Sequence, residues 1–184
     1  MFSNNWFEVT AKANFAKYVA PFKTSDTGTK FLEIGCYEGQ ATLWMLEHTD
    51  ADITVIDTFE GSREHGDESS MFERFEENIK PYVERVRANI GASQQQLKVL
   101  AIAEKTYDFI YIDGSHEAKD VLEDAVLAFP LLKSGGTMIF DDYTWRGSEN
   151  QYELPAMGID AFLHVYADQL EVLEKNSQVI IKKK

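Results

Sequence analysis

The sequence predicts an α/β fold: a seven-stranded, mostly parallel sheet with helices on both faces and a C-terminal antiparallel hairpin. Three observations carry this. Short apolar runs alternate with segments whose apolar residues recur every three to four positions, the pattern of strands joined by helical crossovers. The first such run, Lys30–Gly35, ends in a glycine turn that leads straight into a helical segment. The closing stretch LEVLEKNSQVIIKKK holds two strand-like runs around a Lys-Asn-Ser turn.

The elements follow in order. Residues 4 to 20 read as one amphipathic helix ending near Pro21, and Thr24 to Thr29, with Gly28, reads as a loop. KFLEIG is the first strand, residues 40 to 48 a helix, and ADITVID the second strand. After the polar loop GSREHGDESS, apolar Phe72, Phe75, Ile79, Tyr82, Val83 and Val86 stand at helical spacing, with a break expected at Pro81. Arg85 to Ile90 is the third strand, residues 93 to 101 a short helix, and TYDFIYID the fourth strand, closed by Asp113 and Gly114. Ser115 is the expected cap of the next helix, whose core face is Ala118, Val121, Leu122, Ala125 and Phe129, with Pro130 near its end. SGGTMIFDD is the fifth strand, and residues 157 to 168 form a last helix before the hairpin.

At 184 residues the chain suits one domain over 1–184, with residues 1–29 as an N-terminal helical extension. That length buries roughly two thirds of the unfolded surface without disulfides or metals. No apolar run approaches the ~20 residues of a membrane span. Asn, Glu and Lys interrupt the opening MFSNNWFEVTAKANF, and Cys36 is the single cysteine, so a soluble cytoplasmic protein is expected, with no membrane partner. A net charge of −13 disfavours binding to a nucleic-acid backbone. The oligomeric state stays open, a homodimer being one option.

In an open α/β sheet the ligand crevice lies at the carboxyl ends of the strands. The first strand ends in Glu33-Ile34-Gly35-Cys36-Tyr37-Glu38-Gly39, whose two glycines let the backbone approach a ligand. The second ends in Asp57, twenty-two residues after Gly35, where a carboxylate accepts hydrogen bonds from ribose hydroxyls. Tyr37 occupies the second glycine position of the dinucleotide fingerprint, which favours a nucleoside without phosphates. Asp113 closes the fourth strand and Asp141-Asp142 the fifth. Three like charges in one crevice call for a hard divalent cation, Mg2+ first, and such an ion would stabilise an oxyanion on a substrate hydroxyl. Metal binding is weighed against solvated acids leaving a strand, and His116 is either a general base or an exposed residue of the first helical turn. Cys36 reads as a small apolar packing residue.

FLEIGCYEGQATL, GASQ, YDFIYIDGSH and LLKSGGTMIFDDY together resemble the class I O-methyltransferases, which use S-adenosylmethionine (SAM) on a Rossmann-like fold. The likeness covers residues 30 to 142. GASQ and the glycine turn are similar to catechol O-methyltransferase, whereas IDGSH and the paired aspartates resemble the bacterial metal-dependent sugar and antibiotic O-methyltransferases. The resemblance implies that Gly35, Tyr37 and Gly39 border the methionine part of SAM, that Asp57 holds its ribose and that Ser93 and Gln94 frame its adenine. It further implies that Glu33 supports the loop, that Asp113 borders both cofactor and metal, and that Asp113, Asp141 and Asp142 are the metal ligands. Asp142 replaces an asparagine of the catechol enzyme, and His116 stands where that enzyme has its catalytic lysine.

The implied reaction moves the SAM methyl group to a hydroxyl of a small molecule or sugar. The acceptor would meet loops 60–70 and 143–156, where Arg63, Glu64, His65, Trp145 and Arg146 lie. Three rivals remain: a metal-independent methyltransferase, a SAM-binding module without catalysis, and a nicotinamide-dependent oxidoreductase.

Overall fold

The computed structural model describes residues 2–23, 28–61 and 70–184. Loop residues 24–27 and the segment holding Arg63, Glu64 and His65 lie outside them. Seven strands form one sheet: β1 (Lys30–Ile34), β2 (Asp52–Asp57), β3 (Val86–Ile90), β4 (Tyr107–Ile112), β5 (Leu132–Phe140), β6 (Leu170–Lys175) and β7 (Val179–Lys183). The order is β3-β2-β1-β4-β5-β7-β6, with the first five strands parallel and β7 antiparallel to both of its neighbours.

Successive strand side chains point to opposite faces, and the central strands are apolar on both. Leu32, Ile34, Ile110, Ile112, Met138 and Phe140 pack on one side against α5 (Ser93–Ile102), α6 (Ala118–Ala128) and α7 (Pro155–Val165). Phe31, Phe109, Tyr111 and Ile139 pack on the other against α1 (Trp6–Thr10), α2 (Lys12–Tyr18), α3 (Gln40–His48) and α4 (Met71–Ile79). Among the described residues, no helix is long and apolar enough to cross a membrane.

Element boundaries depart from the sequence reading where packing or proline intervenes. The opening helix is two helices, bent at Ala11, which has φ −109°. Phe7, Ala11, Phe15 and Val19, four apart, are all buried, so the bend keeps this stripe against the sheet. Pro81 starts a short 3-10 turn over Lys80–Arg85 after α4 ends, and Pro155 begins α7 two residues earlier than expected. The residue at the cap position of α6 is Glu117, not Ser115; the Ser115 hydroxyl accepts the Glu117 N–H at 3.1 Å and donates to Asp120 at 2.9 Å.

Candidate active site

From β1 the chain runs outward through β2 and β3 and returns at β4 on the other side of β1, so a crevice opens where the strand order reverses. The glycine turn fills one wall. Gly35 has φ +82°, and a Cβ there would overlap the Asp113 carbonyl, so only glycine lets the β1 turn pass this close to the end of β4. Gly39, at φ +83°, precedes the first residue of α3 and lies against the Phe75 ring. Between them Tyr37 also takes a left-handed conformation, φ 49°. Its ring lies 5.7 Å from that of Trp6.

Asp57 organises the turn. Its Oδ2 accepts the Cys36 and Tyr37 N–H groups at 2.8 and 3.0 Å, and its Oδ1 accepts the Phe59 N–H at 2.8 Å. The residue expected to meet ribose therefore also fixes the loop it faces. Glu33 is buried beneath, accepts the Thr42 hydroxyl from α3, and is pushed up to about 8 by burial. The bond joins the first strand to the following helix.

Beyond β2, at the end of β3, Gly91 donates to the Asp57 carbonyl at 2.9 Å, bringing Ser93 and Gln94, both partly buried, to the same edge. Asp124 of α6 is a buried carboxyl that burial raises to about 7, an effect the Ser93 hydroxyl opposes.

The acidic residues gather at the ends of β4 and β5. The Tyr111 hydroxyl donates to Asp141 Oδ2. Burial, then repulsion from Asp141 and Asp142, raises Asp113 well above the carboxylate range; burial and then Asp142 raise Asp141 to about 6. Asp142, in a left-handed conformation at φ 58°, meets His116 Nε2 through its Oδ2 at 2.8 Å. The His116 ring lies 4.6 Å from that of Trp145, whereas Arg146 bonds the backbone carbonyls of Tyr143 and Trp145. In donor type the three aspartates fit a hard cation, whose charge would relieve the repulsion they show. As the side chains stand, no three His, Cys, Asp or Glu groups among the described residues converge closely enough to hold one. Cys36 is buried, and burial raises its thiol well above the ordinary value, in keeping with a packing role.

Tyr111 and Gln178 are site residues that sequence reasoning missed. Tyr111 had a signal, since it precedes Asp113 by two on a strand and therefore shares its face. Gln178, which donates to Asp141 Oδ2 at 3.0 Å from the hairpin, had none.

A methyltransferase-domain family profile matches residues 32–143. Solved structures share the fold at low identity. The O-methyltransferase NovP superposes with TM-score 0.70 at 18% identity, over 94% of this chain and 78% of that one. An O-methyltransferase from Bacillus cereus, solved with S-adenosylhomocysteine (SAH), gives 0.65 at 17%, over 100% and 93%. MycE of the mycinamycin biosynthetic pathway, solved with Mg, SAH and mycinamycin VI, gives 0.65 at 17%; there this chain is covered entirely but spans only 50% of its relative. No curated protein is significantly similar to the sequence. The profile takes in the glycine turn, Asp57 and all three aspartates at the ends of β4 and β5, more than half of the chain, and on that ground the chain belongs to the methyltransferase-domain family, in agreement with its resemblance to the class I SAM-dependent O-methyltransferases.

Proposed function

We propose that this protein transfers the methyl group of SAM to a hydroxyl of a small molecule or sugar, assisted by a divalent cation such as Mg2+. One observation carries the reading: the Gly35 turn rests directly on the Asp113 backbone, so a nucleoside-binding loop and an acidic strand end share one crevice. The single buried cysteine fits a reducing cytoplasm. The SAH and Mg found with MycE, and the SAH of the Bacillus enzyme, support the same choice of cofactors.

When bound, SAM supplies the electrophilic methyl group, and the cation stabilises negative charge on the acceptor oxygen. The chain does the remainder. The Gly35–Gly39 turn admits the methionine end, Asp57 keeps that turn in shape and faces the ribose, and Ser93 with Gln94 borders the adenine. Asp113, Asp141 and Asp142 would hold the cation. His116 would take the proton of the acceptor hydroxyl, whose oxygen would receive the methyl group that bound SAM supplies; no covalent enzyme intermediate is needed.

The His116–Asp142 pair favours a second reading. A carboxylate at 2.8 Å orients the imidazole and offsets the charge it gains on protonation, which is sufficient for a base that works without metal. Chelation separates the two. With metal assistance, exhaustive EDTA treatment abolishes transfer while calorimetric SAM binding persists; full activity after EDTA establishes the metal-independent reaction.

A further inference from the structure

We propose that Gln178 and Asn14 position Asp141 for the divalent cation, fixing which of its oxygens meets the ion. The inference rests on the metal-assisted reading above. An ionised carboxylate offers about four lone-pair directions. On Asp141, two on Oδ2 are taken by the Tyr111 hydroxyl and by Gln178 Nε2 at 3.0 Å. One on Oδ1 is taken by the Asp142 N–H at 2.7 Å. A single direction remains, and it is on Oδ1. Asp141 therefore meets a cation through that oxygen alone.

The donor at Gln178 depends on which way its amide faces. A half-turn would present Oε1 to the Asp141 carboxylate, acceptor against acceptor. Asn14 of α2 excludes this, because its Nδ2 donates to Gln178 Oε1 at 2.8 Å. The second hydrogen of that same nitrogen goes to Asn176 Oδ1 at 3.2 Å, so both are committed. The turn holds the main chain in register as well, with the Gln178 N–H on Asn176 Oδ1 at 2.9 Å. Gln178 is 0% exposed and Asn14 6%, so water does not compete for these groups and an unmade bond is costly. A directed chain, Asn14 to Gln178 to Asp141, thus runs from the N-terminal helices through the C-terminal hairpin into the crevice. Neither terminal element is a passive cover. Both residues are positioning residues that act through Asp141.

The test is binding of Mn2+ alone to the full chain, read by electron paramagnetic resonance, with SAM affinity measured by calorimetry on the same samples. Gln178→Leu should weaken Mn2+ roughly ten- to hundredfold, the scale for a lost partner of a ligating carboxylate, while SAM affinity stays within about twofold. Asn14→Leu frees the Gln178 amide to turn and should weaken Mn2+ by no more than that. Added to Gln178→Leu it should cost nothing further, because it acts only through the amide. A packing role would instead give additive losses and lower SAM affinity as well. Mn2+ affinity within about twofold of wild type in Gln178→Leu, or additive losses in the double variant, overturns the inference. If Gln178→Leu does not fold, Asn14→Leu decides: unchanged Mn2+ affinity overturns it and a selective loss supports it. A wild-type chain that binds SAM but not Mn2+ overturns this inference together with the metal-assisted reading; one that binds both, with unaffected variants, overturns this inference alone.

Discussion

Replacing Asp57 tests whether one carboxylate both shapes the cofactor loop and holds the ribose. Three main-chain N–H groups end on it, from Cys36, Tyr37 and Phe59. At a net ~1 kcal/mol per bond, Asp57→Ala costs roughly 3 kcal/mol of stability before any ligand is present. For a chain of this length each kcal/mol lowers the melting temperature by about 2–4 °C, so scanning calorimetry of the free protein should show a drop of roughly 6–12 °C. Asp57→Asn is the sharper probe. With its oxygen at the Oδ2 position it keeps Cys36 and Tyr37 but turns an NH2 group toward the Phe59 N–H; reversed, it opposes two donors. The cost is that of an unsatisfied donor, about 1–3 kcal/mol. SAM affinity should fall by a further ~1–3 kcal/mol in Asp57→Ala, the scale of lost charge-assisted bonds to ribose. A wild-type melting temperature in Asp57→Ala refutes the loop-organising role, and unchanged titration calorimetry with SAM refutes the ribose assignment.

Three further outcomes follow from the same geometry. Gly35→Ala should destabilise by more than the ~1–2 kcal/mol of a left-handed alanine, since its Cβ overlaps the Asp113 carbonyl; urea unfolding measures it, and a loss below that range means the turn relaxes without strain. Burial holds Glu33 at about 8 against an ordinary 4.5, so the folded state keeps a proton that the unfolded chain releases, and this residue's contribution to stability falls as pH rises through that window. Glu33→Gln should therefore gain on wild type progressively from about pH 4.5 to 8 in melting temperature; a constant difference across that range removes Glu33 as the cause. His116→Ala should lower turnover about 10²- to 10⁴-fold on an alcohol acceptor with SAM affinity intact. A wild-type rate with the same acidic limb would leave His116 a half-buried loop residue ahead of α6 with no part in proton transfer.

The strands were legible in the sequence because burial on both faces leaves continuous apolar runs, as in Phe109–Ile112 and Met138–Phe140, which few other structures produce. Helix limits were less so. Ala11 gives no local sign of the bend that core packing imposes, and the Glu117 N–H donates to the Ser115 hydroxyl, which leaves Glu117, not Ser115, at the cap position. Of the site, the residues at strand ends were legible, since topology sends every parallel strand's carboxyl end to one edge. Their states were not: that Asp57 is shared with three loop N–H groups, and that Asp142 faces His116, depend on distances that spacing does not contain.

What the sequence determined by itself is the alternation of strands and helices, the glycine turn and the inventory of acids at the crevice, because periodicity and chain order set these locally. Only the tertiary structure decided that Tyr111, Gln178 and Asn14 join Asp141. Asn14 and Gln178 are separated by 164 residues. Their meeting follows from β7 inserting antiparallel beside β5 while α2 packs across the sheet. Such a contact is fixed by the closing of the whole core, whose free energy is shared among residues far apart in the chain, and no local pattern records it.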